Sequence, residues 1–149
     1  MQTNFHVTTA VVVERDNRFL MVEEIDKHSG RKVLNQPAGH LEHGESVIDG
    51  AIRETFEETG CLVRPTSVIS VGLFYSLERA ATYCRITLHA ELVSQDFEAQ
   101  LDPDIEQVHW MTMAQISQNS DKLRSPLVLD SLERYQAHES YPLRMLAML

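Results

Sequence analysis

The sequence predicts a mixed domain of the α/β (α+β) class, and three observations predict it. Runs rich in β-branched and aromatic residues recur at Phe5 to Glu14, Ser67 to Tyr75 and Thr82 to Val93. A well-bounded helix separates the first run from the other two, and helix-start signals return only near the C-terminus, after the last β-rich stretch. Alternation of this kind asks for helices packed on a sheet.

Phe5 to Glu14 is followed by turn chemistry at Asp16-Asn17, and an apolar run resumes at Phe19, Leu20, Met21 and Val22, which predicts a hairpin. Residues 25 to 31 read as a polar loop. Val33 and Leu34 then run into Gln36-Pro37-Ala38-Gly39, where the residue before proline is held extended and the chain turns sharply. The helix covers residues 46 to 59. Ser46 caps it, Asp49 completes a Ser-x-x-Asp capping box, and Gly60 stands where a left-handed C-terminal residue is wanted. After the two long β-rich runs, a third at Gln107 to Thr112 holds the only tryptophan. Met113 to Gln118 predicts a short helix, and Ser125-Pro126 pairs an N-cap with a first-turn proline for another running to about Gln136. No repeat, linker or low-complexity tract divides the chain, so residues 1–149 are read as one domain.

With 43% hydrophobic and 23% charged residues in 149, the composition is that of a folded globular protein. No apolar run approaches the ~20 residues that cross a bilayer, and Met1 to Val13 lacks the basic start of a signal peptide, so a cytoplasmic protein without a membrane partner is expected. Cys61 and Cys84 are too few and too far apart for a disulfide framework or a thiolate zinc site, and are read as reduced and packed. A net charge of −9 argues against nucleic acid as a partner, because its backbone is bound mainly by lysine and arginine. A small anionic substrate then needs a local cation, for which a bound divalent metal is the expected source.

The chemistry concentrates in Gly39 to Cys61, GHLEHGESVIDGAIRETFEETGC. At 100° per residue, Glu54, Glu57 and Glu58 share one helix face, while Ile48, Ile52, Phe56 and Thr59 share another. Taken alone, a glutamate-rich face is ordinarily a solvated one. Its position argues otherwise: carboxylates near a helix C-terminus oppose the macrodipole at about 0.3–1 kcal/mol each, and they repel one another. A hard divalent cation removes both conflicts, and Mg²⁺ is commonly shared between one or two carboxylates and substrate phosphates.

These residues resemble the Nudix box, G-x5-E-x7-R-E-U-x-E-E-x-G-U with U a bulky apolar residue. Gly39, Glu45, Arg53, Glu54, Glu57, Glu58 and Gly60 stand in register, Cys61 is acceptable at the last position, and Thr55 departs at the first U site. The resemblance implies the Nudix fold, a mixed β-sheet sandwiched between α-helices. It also implies Mg²⁺-dependent cleavage of phosphate anhydrides, with Mn²⁺ as a substitute ion; the metal would neutralise the diphosphate and acidify an attacking water. Carried over residue by residue, Glu57 and Glu58 are the principal metal ligands together with the Gly39 carbonyl. Glu54 binds a metal or manages the proton of the water, and Arg53 with Glu45 ties helix to loop and holds Glu54. A carboxylate from outside the box is expected to complete the site, and Asp104 is preferred over Asp102 and Glu106.

Leu34 to Glu42 (LNQPAGHLE), and Leu123 to Gln136 followed by Tyr141-Pro142-Leu143, are similar to the NudJ-type branch of bacterial phosphatases within that family. This implies a small-molecule substrate, a nucleoside tri- or diphosphate or a pyrimidine diphosphate of the thiamine type. Asn35 and Gln36 place amides beside the glycine loop, and Arg124 precedes a helix N-terminus able to meet an anion, which makes all three candidates for substrate contact. Three other readings are a catalytically silent ligand-binding module, against which the intact box glutamates argue, an RNA-end pyrophosphohydrolase, against which the charge argues, and a carbon-skeleton isomerase on the same fold, since fold does not fix function. The apolar tail Leu143 to Leu149 reads as docked on its own domain in preference to a second subunit, with monomer and homodimer both open.

Overall fold

A computed structural model of the chain describes residues 4–149. Its strands are β1 Phe5–Val12, β2 Glu14–Arg15, β3 Arg18–Ile25, β4 Lys32–Asn35, β5 Ala38–His40, β6 Cys61–Ser76, β7 Ala81–Gln95 and β8 Ile105–Met111, and its helices are α1 Val47–Thr59, α2 Met113–Gln118 and α3 Pro126–Gln136. One sheet runs in the order β5-β1-β7-β6 and is mixed, with β1 and β7 parallel and the other pairs antiparallel. In a second, antiparallel sheet β3 lies at the centre, flanked by β8 on one side and by β2 and β4 on the other.

β1 shows why the mixed sheet is sandwiched. Val11 and Val13 pack with Ala51 of α1 and with Leu88 and Ala90 of β7, whereas Val12 points the other way, toward Val128 and Leu132 of α3 and Ile116 of α2. A strand buried on both faces reads as a continuous apolar run, as Ala10 to Val13 does. Each such valine or leucine contributes about 1.5–3 kcal/mol by leaving water.

The three helices form where the sequence places them. The Ser46 hydroxyl accepts the Asp49 N–H, and Gly60 ends α1 with φ 73°. A Cβ at Gly60 would collide with the Asp96 carbonyl, so both backbone and space require glycine there. Only the Ser46 half of the expected capping box is seen. Thr112 and Gln115, by contrast, form a full reciprocal box at α2.

The N-terminal hairpin differs from expectation. Asp16 and Asn17 do make a tight turn, both at positive φ, but it joins β3 only to the two-residue β2, while β1 departs into the other sheet at Val13. Asp and Asn tolerate that conformation, so the local signal was sound; β1 is claimed by the more extensive ladder with β7. The packed face of α1 also differs. Phe56 is 42% exposed, and the buried row is Ala51, Thr55, Glu58 and Thr59. Thr55 fits this dry position because its hydroxyl donates to the Ala51 carbonyl at 2.7 Å. The tail returns to its own domain through Leu143 and Leu146, which pack on the core beneath α1.

Candidate active site

The cation that organises the site is Arg53, in the middle of α1. Its Nε and Nη2 hold the Glu45 carboxylate in a two-pronged contact at 2.6 and 2.9 Å, and Nη2 also donates to the His40 carbonyl at 3.1 Å. Nη1 donates to Glu54 at 2.8 Å and to Glu57 at 3.1 Å. Glu45 accepts the Glu42 N–H at 3.0 Å as well, so one guanidinium ties the helix to the loop that follows β5. The hydrogen bond from Arg53 holds the Glu45 carboxyl below its usual range.

Glu54 presses against the loop backbone. A Cβ at Gly39 would collide with the Glu54 carboxyl group, so glycine at this position leaves room for an oxygen-rich contact between helix and loop. Burial pushes the Glu54 carboxyl up, against the pull of Arg53.

Glu58 has different surroundings from its neighbours. It is 5% exposed and accepts the Ala38 N–H at 2.8 Å. Burial, and next the charge of Glu24, push its carboxyl well above the usual range. Glu24, at the end of β3, is itself raised by burial, although Arg124 lies 3.0 Å from it. The shared helix face expected for the three glutamates is therefore divided: Glu54 and Glu57 meet on Arg53, and Glu58 faces Glu24 behind the Ala38-Gly39 strand.

Three carboxylates each held above their ordinary range is the electrostatic situation that a divalent cation relieves. Among the described residues no three Asp, Glu, His or Cys side chains already close into a cage. Mg²⁺ does not require one, since it retains waters and takes one or two carboxylates, and a set of hard oxygens around Gly39 suits it.

Of the acidic candidates outside the box, Asp104 is turned toward Lys27 at 2.9 Å. Glu24 and Asp102 are the outside carboxylates whose charge is felt at Glu58, and Asp102 acts at Glu54 also. The Asp102 backbone is drawn to the helix by its N–H, which donates to the Glu57 carbonyl at 2.9 Å. Sequence reasoning passed over Glu24. The signal available was an acidic pair closing the apolar strand Phe19 to Val22, where one member must face the protein.

A cleft of about 490 Å³ opens on the other side of Ala38 and Gly39, between the mixed sheet and the segment leading into α3. Arg31, Lys32, Arg79, Arg85, Lys122 and Arg124 line it, together with the acidic Glu24, Asp26, Glu78 and Asp121. Protein cations are thus scarce over the chain as a whole yet gathered here, which net charge could not disclose. Asn35 and Arg124 line the cleft, while Gln36 is fully buried behind it, its amide donating to the Ser131 hydroxyl at 2.7 Å.

The NUDIX domain family matches residues 4–131 of the chain. The chain is 38% identical over 141 residues to "Phosphatase NudJ" of Escherichia coli strain K12, spanning 95% of this chain and 90% of that protein, and the same figures hold for its counterpart in Shigella flexneri. Among solved structures, a NUDIX hydrolase from Nitrosomonas europaea superposes with a TM-score of 0.93 at 38% identity, covering 97% of both chains. A MutT protein from Methanosarcina mazei shares the fold alone, at a TM-score of 0.73 and 18% identity. Domain-wide identity to such proteins, with the box glutamates gathered round Arg53 and Gly39, shows that the chain belongs to the Nudix hydrolase family.

Proposed function

We propose that this Nudix hydrolase uses Mg²⁺, with Mn²⁺ as a substitute, to cleave the phosphate anhydride of a small nucleoside tri- or diphosphate or of a thiamine-type pyrimidine diphosphate. Divalent-metal chemistry on small molecules goes with the family; the ion and the substrate class are the finer reading. The observation that carries it is the junction at Gly39, where the box carboxylates meet a cleft in which basic side chains outnumber acidic ones.

When bound, Mg²⁺ supplies charge neutralisation and an acidified water. In this reading Glu57 and Glu58 would hold it with the Gly39 carbonyl, and Glu24 or Asp102 would take the outside place first assigned to Asp104. Glu54, whose carboxyl burial raises above its usual range, would take the proton of the attacking water. Arg53 fixes Glu54 from one side and Glu45 fixes Arg53, so the base is aimed without either residue touching substrate. The cleft receives the organic portion, with Phe74 and Tyr83 available to a ring and Arg124 to an anion. The identity to a protein named Phosphatase NudJ supports a phosphorylated substrate.

The test is phosphate release from a panel of nucleoside tri- and diphosphates and thiamine diphosphate, with Mg²⁺ and with chelator. Hydrolysis of at least one class is expected with metal and none with chelator. No release from any member in Mg²⁺ or Mn²⁺ would overturn the reading in favour of a ligand-binding module.

A further inference from the structure

Arg85 is a cation to which the chemistry above gives no role. It projects from the interior of β7 into the floor of the cleft and is only 7% exposed. Its hydrogen bonds run from Nη1 to two side-chain amides, Asn35 Oδ1 at 3.2 Å and Gln36 Oε1 at 3.4 Å. Neither amide is free to turn. Gln36 Nε2 donates to the Ser131 hydroxyl and Asn35 Nδ2 donates to Glu24, so each is oriented to offer its oxygen to the guanidinium.

Among the described residues, no carboxylate lies within ion-pair distance of Arg85, whereas Arg79 and Arg124 of the same cleft are paired with Asp26 and Glu24. A guanidinium buried with no carboxylate in contact is costly to the fold, since Glu24 and Glu58 act on it only through space and two amide oxygens satisfy a minority of its five donors. Burial pushes it down to about 10, so it remains a cation at neutral pH. A cation kept dry, oriented and without a carboxylate in contact is suited to an anion that arrives from outside.

The place is right for a phosphate chain. In the sheet, Arg85 lies beside Thr8 of β1, which lies beside His40 of β5. Two strand spacings, about 10 Å, therefore separate its backbone from the Gly39 loop, a gap that a long side chain and a diphosphate together span.

We propose that Arg85 is the anion anchor of the cleft, gripping phosphoryl oxygens of the substrate, with Asn35 and Gln36 as positioning residues behind it. This rests on the proposed hydrolase reading, and the two can fail separately. In Arg85→Gln, KM for a good panel substrate should rise at least tenfold while kcat falls less than threefold. Arg85→Lys, which keeps charge but loses the fork, should fall between. Independently of turnover, inorganic pyrophosphate titrated into metal-free wild-type protein should shift the Arg85 Nε resonance, and by calorimetry Arg85→Gln should bind it at least tenfold more weakly.

A folded Arg85→Gln with wild-type KM and wild-type pyrophosphate affinity would overturn the anchor and leave the hydrolase reading standing. If that variant does not fold, the wild-type resonance decides: no shift at saturating pyrophosphate sinks the proposal. If the wild type hydrolyses nothing in the panel, the hydrolase reading falls, and the pyrophosphate titration still judges Arg85.

Discussion

Glu57 and Glu58 are adjacent in sequence and opposite in surroundings, one half-exposed on Arg53 and the other sealed behind Ala38. Glu57→Gln and Glu58→Gln should each lower Mg²⁺-dependent kcat by about a hundredfold or more, the scale on which a lost transition-state charge interaction acts. Their metal-free melting points should differ, however. Glu57→Gln should melt like wild type, while Glu58→Gln, which removes a buried charge facing Glu24, should melt at the same temperature or higher. Near-normal hydrolysis by either variant would remove it from the metal site. Arg53 makes all its contacts with carboxylates and the His40 carbonyl and does not line the cleft. Arg53→Ala should therefore depress kcat far more than it raises KM, and steady-state kinetics showing the reverse would make Arg53 a substrate-binding group. Thr55 marks how much could be read at this scale. Its departure from the box pattern was visible in sequence, but the hydroxyl bond to Ala51 that makes it harmless depends on helical geometry.

At the scale of elements, helices were legible and strand partners were not. Ser46, Gly60 and Ser125 act within a turn of themselves, so the ends of α1 and the start of α3 could be placed from short stretches of sequence, and the Thr112 box at α2 carries a signal of the same kind that sequence reasoning passed over. A strand carries no comparable label for its partner, and the hairpin assigned to β1 and β3 failed for that reason. The segment after β3 is a second case. It reads as a polar loop, but Asp26 is buried and holds it together, accepting the Ser29 N–H at 3.1 Å and hydroxyl at 2.7 Å and pairing with Arg79. Burial alone would raise the Asp26 carboxyl; the Ser29 and Arg79 hydrogen bonds outweigh it and hold the group well below its usual range. A depressed folded value means that the stabilisation is present above the unfolded value of about 3.9 and is lost as pH falls below it. Asp26→Asn should thus cost on the order of 3 kcal/mol at pH 7, as for a buried pair losing one partner, with the difference shrinking below about pH 4. Thermal melts of both proteins from pH 7 down to pH 2 check this, and a constant difference across the range would contradict it.

For the whole molecule, a mixed sheet between helices was readable through the family resemblance, and the box glutamates through their spacing. The basic cleft was not, because its side chains come from separate segments, β4 and its preceding turn, the turn after β6, β7, and the approach to α3, that meet only once the sheets have formed. Its presence sharpens the contrast between local and net charge. A polyanion meets the repulsion of −9 charges over its length, while a small substrate meets mainly the cleft. Free nucleotides or thiamine diphosphate should therefore be cleaved faster than triphosphate-ended RNA at matched concentrations of phosphate ends. Faster RNA-end cleavage would overturn the substrate class and leave the metal site untouched.

The parallel pairing of β1 with β7 also has a consequence in time. Val11 lies beside Leu88, and Leu20 beside Trp110, so a growing chain that has just completed α1 holds β1 and β3 paired only with the short β5, β2 and β4, while their longer partners β7 and β8 have not yet been made. The doubly capped helix can form at once, but the sheet around it must wait for a long loop to close before any contact rewards the closure. Refolding is expected to be limited by this late joining of the two ends. In pulse-labelled hydrogen exchange, amides of β1 and β7 should become protected in the same phase, and protection of β1 ahead of β7 would contradict that order. A fragment ending near Gly60 should aggregate, because the strand buried deepest in the finished protein is among the first to be synthesised and among the last to be covered.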